Sequence, residues 1–257
     1  MKKINTKADF LLLTEFVKNN DPRNLSYKDC LKILPDRFQD MITKDNVIKP
    51  RNLSADLFRE LFIESLQKIN PEYIIDSVSE EVIKSISMYF TMDEGFLKDE
   101  SLSFNKGILL MGRVGCGKTV LFKGLAILMG LFDYKDYYGQ QNIRFTTLNS
   151  YSFTEGFAKK GFDIFDEGLF RNGNMVRFIH SRLLIDDIGA ENISSHYGTV
   201  TNVIGEVFLR RYDSMALTFA TTNLDPKGLK AFYGDRVYSR MVEMMNFLIY
   251  EGNDRRH

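Results

Sequence analysis

Residues 112–119 read GRVGCGKT and satisfy the pattern G-x-x-x-x-G-K-[ST], directly after the apolar run GILLM and before a helical pattern. Glycines let backbone N–H groups turn toward phosphate oxygens, and the positive end of the helix dipole adds to the attraction. The motif therefore predicts a nucleotide site. Its residues are Gly112, Arg113, Val114, Gly115, Cys116, Gly117, Lys118, Thr119 and Val120.

Acidic side chains are the second requirement for nucleotide chemistry, and LLIDDIG supplies two. We expect Lys118 to reach the β- and γ-phosphates of ATP and the Thr119 hydroxyl to be a Mg²⁺ ligand. Asp186 would hold the Mg²⁺ shell, and Asp187 could polarise the attacking water. A surface turn after a buried strand would explain one aspartate well and two poorly. Cys116 is interpreted as a small filler residue rather than a nucleophile.

Two later segments offer further polar groups. In TFATTNL, Asn223 sits at the tip of a predicted strand, where its amide could position water or sense the γ-phosphate. An asparagine shortly before Asp-Pro is equally typical of a turn. In YGDRVYSRMVEMM, Arg236 and Arg240 are four apart and share one helix face. The spacing alone favours a solvated stripe; the alternative is an arginine finger offered to the ATP of a neighbouring subunit.

The elements that position these residues change character near residue 95. After residue 100, short apolar strands alternate with helical patterns, which is typical of a parallel sheet covered by helices. We predict strands at 107–111, 143–148, 182–187, 216–222 and 247–251, and helices at 118–129, 151–160, 199–212, 226–233 and 236–245. Before residue 95 the patterns are helical: TKADFLLLTEFVKNN, SYKDCLKIL, SADLFRELFIESLQKIN with Ser54 as its N-cap, and SEEVIKSISMYF.

Composition limits the class of protein. The chain has 257 residues, of which 44% are hydrophobic, enough to bury a full-sized core. Lys+Arg and Asp+Glu both total 34, so bulk charge does not indicate a nucleic-acid partner. The runs FLLL and GLAILMGLF are too short for a signal peptide or a membrane span. Cys30 and Cys116 match no metal or disulfide spacing, and we expect a cytoplasmic protein with no membrane association.

Four segments taken in order resemble a known family. KGILLMGRVGCGKT, LLIDDIGAE, FATTNL and YGDRVYSRM are similar to the Walker A, Walker B, sensor 1 and box VII segments of AAA+ ATPases, most of all the DnaC/IstB-type group. The resemblance implies an α/β P-loop NTPase core with a five-stranded parallel sheet, its P-loop strand near the centre, and no C-terminal helical lid. We expect a helical partner-binding region at 1–95 and the AAA+ core at 96–257.

The resemblance also implies roles for single residues. Lys118, Thr119 and Asp186 would bind MgATP, and Asp187 would occupy the catalytic acid position. Asn223 would be sensor 1, and Arg240 the preferred finger with Arg236 beside it. Many AAA+ proteins carry Glu where this chain has Asp187, so slow hydrolysis is expected. The sensor arginine of the missing lid would have to be replaced by Arg255 or Arg256.

Partners follow from the same resemblance. Loaders of this group grip single-stranded DNA with core helices and hold the replicative helicase with the N-terminal region. Here Lys159 and Lys160 follow Tyr151, Phe153 and Phe157, a combination suited to backbone contact and base stacking. An amphipathic helix with a solvated basic end fits the spacing at least as well. A finger acting between subunits predicts an ATP-dependent homo-oligomer.

Three functions remain open. The first is a helicase loader that fixes a loader, helicase and DNA assembly when ATP binds. The second is a transposase helper that remodels DNA at a target site. The third is a switch in which nucleotide controls a partner interaction without hydrolysis.

Overall fold

A computed structural model describes residues 3–19, 49–131, 145–171, 173–191, 194–196, 199–252 and 254–255. The chain divides into two compact units, one of Met1–Lys98 with Val120–Arg144 and one of Asp99–Thr119 with Phe145–His257. The predicted helix SYKDCLKIL, which contains Cys30, lies outside the described residues.

The described part of the first unit is helical. Its helices are α1 (Lys7–Asn19), α2 (Ala55–Ile69), α3 (Ser77–Thr91) and, after the first turn, α4 (Lys118–Leu131). Ser54 caps α2 as predicted, because its hydroxyl accepts the Leu57 N–H at 3.2 Å. The apolar stripes of α2 and α3 face each other, and the rings of Phe58 and Phe90 stack at 6.0 Å. Core packing therefore accounts for most of both stripes.

The second unit contains a sheet of five parallel strands in the order β2-β5-β8-β1-β9. Its elements are β1 (Gly107–Met111), β2 (Thr146–Asn149), α5 (Ser150–Lys160), α6 (Asp163–Glu167), β3 (Leu169–Arg171), β4 (Asn174–Val176), β5 (Leu183–Ile188), β6 (Ser194–His196), β7 (Thr199–Thr201), α7 (Val203–Asp213), β8 (Thr218–Thr222), α8 (Pro226–Met244) and β9 (Met245–Ile249). A five-stranded parallel sheet flanked by helices, with the glycine-rich loop directly after β1, is the architecture that the motifs predicted. The strand before the P-loop, β1, lies between β8 and β9, one position from the edge.

Several boundaries differ from the predictions. The helix predicted from residue 199 begins at Val203, because 199–201 pairs with β6 and Asn202 caps the helix through the Gly205 N–H. The last strand lies at 245–249 rather than 247–251, in register with β1 along its whole length. The predicted helices 226–233 and 236–245 form one element, broken at Gly234 with φ 80° and ψ 165°. No helix follows Ile249 in the part of the chain that is described.

A buried arginine joins three segments of the chain near the start of β8. The Arg211 guanidinium donates to the carbonyls of Phe178, Ile179 and Leu217 and, at 2.9 Å, to the Thr218 hydroxyl. Burial lowers the pKa of Arg211 to about 9, so the group still carries its charge at neutral pH. Because Thr218 is the first residue of β8, this cluster helps to set the position of the strand that leads to Asn223.

We predict that Arg211→Met lowers the free energy of unfolding by about 3 kcal/mol, because several buried carbonyls lose their donor. Urea unfolding followed by circular dichroism measures the change. The matched control is Arg210→Met, which removes a partly exposed ion pair with Glu206 and should cost about 1 kcal/mol or less. Equal destabilisation in the two variants would contradict the role given to Arg211.

Candidate nucleotide and magnesium site

The loop between β1 and α4 needs its glycines for conformation and for space. Gly115 and Gly117 have φ values of 84° and 102°, where L side chains are strained. A Cβ at Gly112 would lie 2.1 Å from the Tyr250 carbonyl oxygen, and one at Gly115 would lie 2.1 Å from an Asp254 carboxylate oxygen. At these positions the loop therefore presents backbone without side chains, as a phosphate-binding loop requires.

Lys118 folds back over this loop. Its ammonium donates to the carbonyls of Gly112 at 2.7 Å and Arg113 at 2.8 Å, and to Asn223 Oδ1 at 2.8 Å. Burial lowers the pKa of Lys118, and the nearby Cys116, Asp187 and Asp186 oppose that shift. A bound phosphate would offer the ammonium charged acceptors in place of carbonyls. Cys116 is fully buried under the loop, which agrees with its interpretation as a filler.

Thr119 and Asp186 meet at the start of α4. The Thr119 hydroxyl lies 3.1 Å from both carboxylate oxygens of Asp186. Mg²⁺ prefers oxygen ligands, and it commonly takes one or two from the protein and the rest from phosphates and water. The pair fits that requirement. No group of three or more His, Cys, Asp or Glu side chains that could hold a metal occurs among the described residues.

A β-bulge explains how two consecutive aspartates face one site. Side chains alternate between the two faces of a regular strand, so neighbours point apart. Between Ile185 and Ile188 the register with β8 shifts, and Asp187 takes a φ of 62°. The Thr221 hydroxyl accepts the Asp187 N–H at 2.8 Å and donates to Asp186 Oδ1 at 2.6 Å. The bulge therefore aims the second carboxylate, and Thr221 holds the bulge.

Asn223 bridges the loop after β1 and the second aspartate. Its amide oxygen accepts from Lys118, and its Nδ2 donates to Asp187 Oδ1 at 2.8 Å. The turn that follows is capped by Asp225, which accepts the Gly228 N–H at 2.7 Å. Asp225 thus caps the helix that follows, and the Asn223 side chain links Lys118 to Asp187.

Beyond Asp187, side chains that the sequence did not single out fix the backbone. The Ser150 hydroxyl donates to the Asp187 carbonyl at 2.8 Å, and the Tyr151 hydroxyl donates to the Ala190 carbonyl at 2.6 Å. The Gly189 N–H lies 2.8 Å from both Glu191 Oε2 and the Tyr233 hydroxyl. Glu191 stood inside a motif, but neither it nor Tyr233 carried a pattern that indicated contact between them.

The C-terminal segment lies against the loop after β1. The Arg255 N–H donates to the Gly115 carbonyl at 3.0 Å, and its guanidinium lies 5.6 Å from the centroid of the buried Tyr250 ring. The backbone of Arg255 is therefore beside the loop, while its guanidinium lies over the Tyr250 ring. Arg256, the other candidate, lies outside the described residues.

Among the described residues, the two arginines of the segment YGDRVYSRM stand apart from this network. Arg240 donates to the Tyr212 hydroxyl and to Glu243 Oε1, each at 3.0 Å, and its guanidinium lies 4.2 Å from the Tyr212 ring centroid. Arg236 is exposed. Both lie on α8 after the break at Gly234, so one segment presents both groups.

Helix α5 was expected to present both lysines and aromatic rings to DNA, and it exposes only some of them. Lys159 and Lys160 are exposed, and they pair with Glu155 at 2.7 Å and Glu167 at 2.6 Å. Phe153 and Phe157 lie in the core and are unavailable for base stacking, because the helix turns its apolar face to the sheet. Tyr151 remains 49% exposed, and Phe170 on β3 is 72% exposed in a groove that both lysines line.

Comparison with solved structures finds similar structures at low sequence identity. The DnaC helicase loader is 17% identical with a TM-score of 0.46, over 71% of this chain and 96% of that one. DnaI is 20% identical with a TM-score of 0.45, over 77% and 93%. AMPPCP-bound DnaA from Aquifex aeolicus is 16% identical with a TM-score of 0.44, over 72% and 51%.

No protein-family model matches the sequence, and no curated protein matches it. Among the described helices, none combines the length and the apolar character needed to cross a membrane.

We predict that Thr221→Val weakens Mg²⁺-dependent binding of a fluorescent ATP analogue about 10-fold, because the variant lacks the hydroxyl that orients Asp186. Titrations in Mg²⁺ and in EDTA measure the effect, which should be confined to the Mg²⁺ series. Thr221→Ser keeps the hydroxyl and should bind within about 2-fold of the parent. A valine variant with unchanged Mg²⁺ dependence would remove Thr221 from the site.

Proposed function

We propose that the protein is an AAA+ ATPase that binds MgATP between the β1–α4 loop and the carboxyl ends of β5 and β8, and hydrolyses it slowly. The observation that carries this proposal is the connected set Lys118, Asn223 and Asp187, with Thr119 on Asp186 beside it. If the loop were only a structural turn, no hydrogen bond would be expected between Lys118 and Asn223 at the end of β8.

Each residue of the set has a separate task. The loop amides and Lys118 bind the phosphates, and Thr119 and Asp186 would hold Mg²⁺, which supplies charge neutralisation when bound. Asp187 is aimed by the bulge and oriented through one oxygen by Asn223, which leaves its other oxygen to orient a water molecule. The carboxylate has one methylene fewer than glutamate, and slow turnover follows from that shorter reach.

ATP turnover of the purified chain tests this function. We predict that Asp187→Asn lowers the steady-state rate at least about 10-fold, because general acid–base assistance typically contributes two orders of magnitude or more. Analogue binding should stay within about 2-fold. Lys118→Ala should lose binding as well as turnover. Equal rates for the Asp187→Asn variant and the parent would remove Asp187 from the mechanism, and binding without any turnover would favour a nucleotide switch.

We further propose that the ATPase acts on DNA as a helicase loader, on single-stranded DNA contacted by Lys159 and Lys160. Two features support this: the motif order resembles the DnaC/IstB-type group, and the lysines border a groove with the exposed ring of Phe170. Aromatic faces beside basic groups suit single-stranded nucleic acid, since every base can stack. Phe170 takes the stacking role that the sequence had suggested for Phe153 and Phe157.

We predict that replacing Lys159 and Lys160 together with glutamine weakens binding of a labelled oligonucleotide and lowers the salt dependence of log K by about 1.4, because each lysine that neutralises a phosphate contributes roughly 0.7 to that slope. Fluorescence anisotropy across a salt series measures both. Lys230→Gln is the matched control, because that lysine is also exposed and paired, with Asp235 at 2.7 Å. Identical salt slopes in the double variant and the parent would contradict the DNA contact.

We propose that the protein partner binds the N-terminal region, residues 1–95, where Leu11 and Leu12 on α1 are 54% and 46% exposed. A replicative helicase is the partner that fits the loader proposal. We expect this protein to act in the cytoplasm as an ATP-dependent homo-oligomer.

Affinity capture with the tagged full chain and an ATP analogue, read by mass spectrometry, distinguishes the partners. Recovery of a hexameric helicase supports loading, and recovery of a transposase supports the helper function. The Lys118→Ala chain is the control for nucleotide dependence.

A further inference from the structure

Glu191 and Tyr233 form a buried pair on the backbone turn that follows Asp187. The Tyr233 hydroxyl donates to Glu191 Oε1, and the Gly189 N–H lies 2.8 Å from the other oxygen of Glu191 and from the tyrosine hydroxyl. Glu191 is 5% exposed and Tyr233 is 8% exposed. Burial raises the pKa of both groups. Burying a carboxylate costs free energy unless hydrogen bonds to its oxygens compensate for the lost water.

The pair connects two segments that both belong to the nucleotide chemistry. On one side it fixes Gly189, two residues after Asp187, whose own backbone is held at a φ of 62°. On the other side it fixes α8, the helix that carries Arg236 and Arg240. Within the second unit, these contacts tie the arginine helix to the turn after the catalytic aspartate.

Tyr233 is the last residue before α8 changes direction. Gly234 has φ 80° and ψ 165°, a region open almost only to glycine. A Cβ at Gly234 would meet nothing within 4 Å, so the glycine serves conformation and not space. The helix is thus anchored on one side of a hinge residue, and both arginines lie on the other side.

We propose that Glu191 and Tyr233 are positioning residues. They couple the Asp187 turn of a subunit to residues 235–244 of the same subunit, the arginine segment that it presents to its neighbour. The inference rests on the proposed ATPase function and deepens it. Displacement of Asp187 when nucleotide binds moves the Gly189 turn, and the pair transmits that movement to the hinge. Neither side chain contacts nucleotide.

Conservative variants separate this role from simple stabilisation. Tyr233→Phe removes only the hydroxyl, and kcat should fall about 10-fold while analogue binding stays within about 2-fold, as expected for a group that orients a catalytic one. Glu191→Ala should behave the same way. Glu191→Gln can still accept from Gly189 and donate to the tyrosine oxygen, so it should restore most of the rate. In the Glu191→Ala/Tyr233→Phe double variant the two effects should not multiply, because both changes break one link.

The matched control is Tyr89→Phe, a hydroxyl deletion at a buried ring on α3 that packs on Phe96 with the ring centroids 5.4 Å apart. It should leave kcat unchanged. If Tyr233→Phe lowers the melting temperature but leaves kcat per folded molecule unchanged, the pair is only structural and the proposal is overturned.

A second measurement does not need turnover. Amide hydrogen exchange of the full chain, with and without a non-hydrolysable ATP analogue, should show a nucleotide-dependent change in peptides from 235–244 in the parent and in Tyr89→Phe. Tyr233→Phe and Gly234→Ala should lose that change while still binding the analogue. If the parent binds but does not hydrolyse ATP, the ATPase proposal fails while this readout still tests the link. A response that persists in both variants would overturn the link itself.

Discussion

The site depends on one departure from regular strand geometry, the bulge at Asp186 and Asp187. A regular strand would turn one of two consecutive carboxylates away from the nucleotide. The bulge brings both to the same edge, where Asp186 meets Thr119 and Asp187 meets Asn223. A non-glycine residue with positive φ is strained, so the surroundings must hold it. Thr221, Ser150 and the Gly189 turn supply the hydrogen bonds that do so.

The strand order brings the parts of this site together. In a parallel sheet all carboxyl ends meet at one edge, and β8 lies between β5 and β1. Residues at the end of β8 therefore reach in both directions, Thr221 toward Asp186 and Asn223 toward both Lys118 and Asp187. A change in the position of β8 would therefore affect both sides of the candidate site, so the support of β8 by Arg211 bears on that site as well as on stability.

The same turn is held from two helices. Ser150 and Tyr151 begin α5, which ends in Lys159 and Lys160, and Tyr233 belongs to α8, which carries the two arginines. Rigid helices can transmit a small displacement over their length, since packed elements shift as units. The turn from Asp187 to Glu191 thus links the proposed site of hydrolysis to the two helices that carry the proposed DNA contact and the proposed subunit contact.

The sequence alone was enough for the fold class, all five strands of the sheet to within a few residues, the Ser54 cap and the glycine-rich loop, because these follow from local periodicity and from short-range stereochemistry. It also selected Lys118, Thr119, Asp186, Asp187 and Asn223 by residue type and motif. Only the tertiary structure decided that Asp187 sits in a bulge, that Thr221 and the Glu191 and Tyr233 pair support it, and that Phe153 and Phe157 are core residues. Those outcomes depend on contacts between residues 34 to 42 positions apart, such as Thr221 with Asp187 and Tyr233 with Glu191, and no local pattern encodes such contacts.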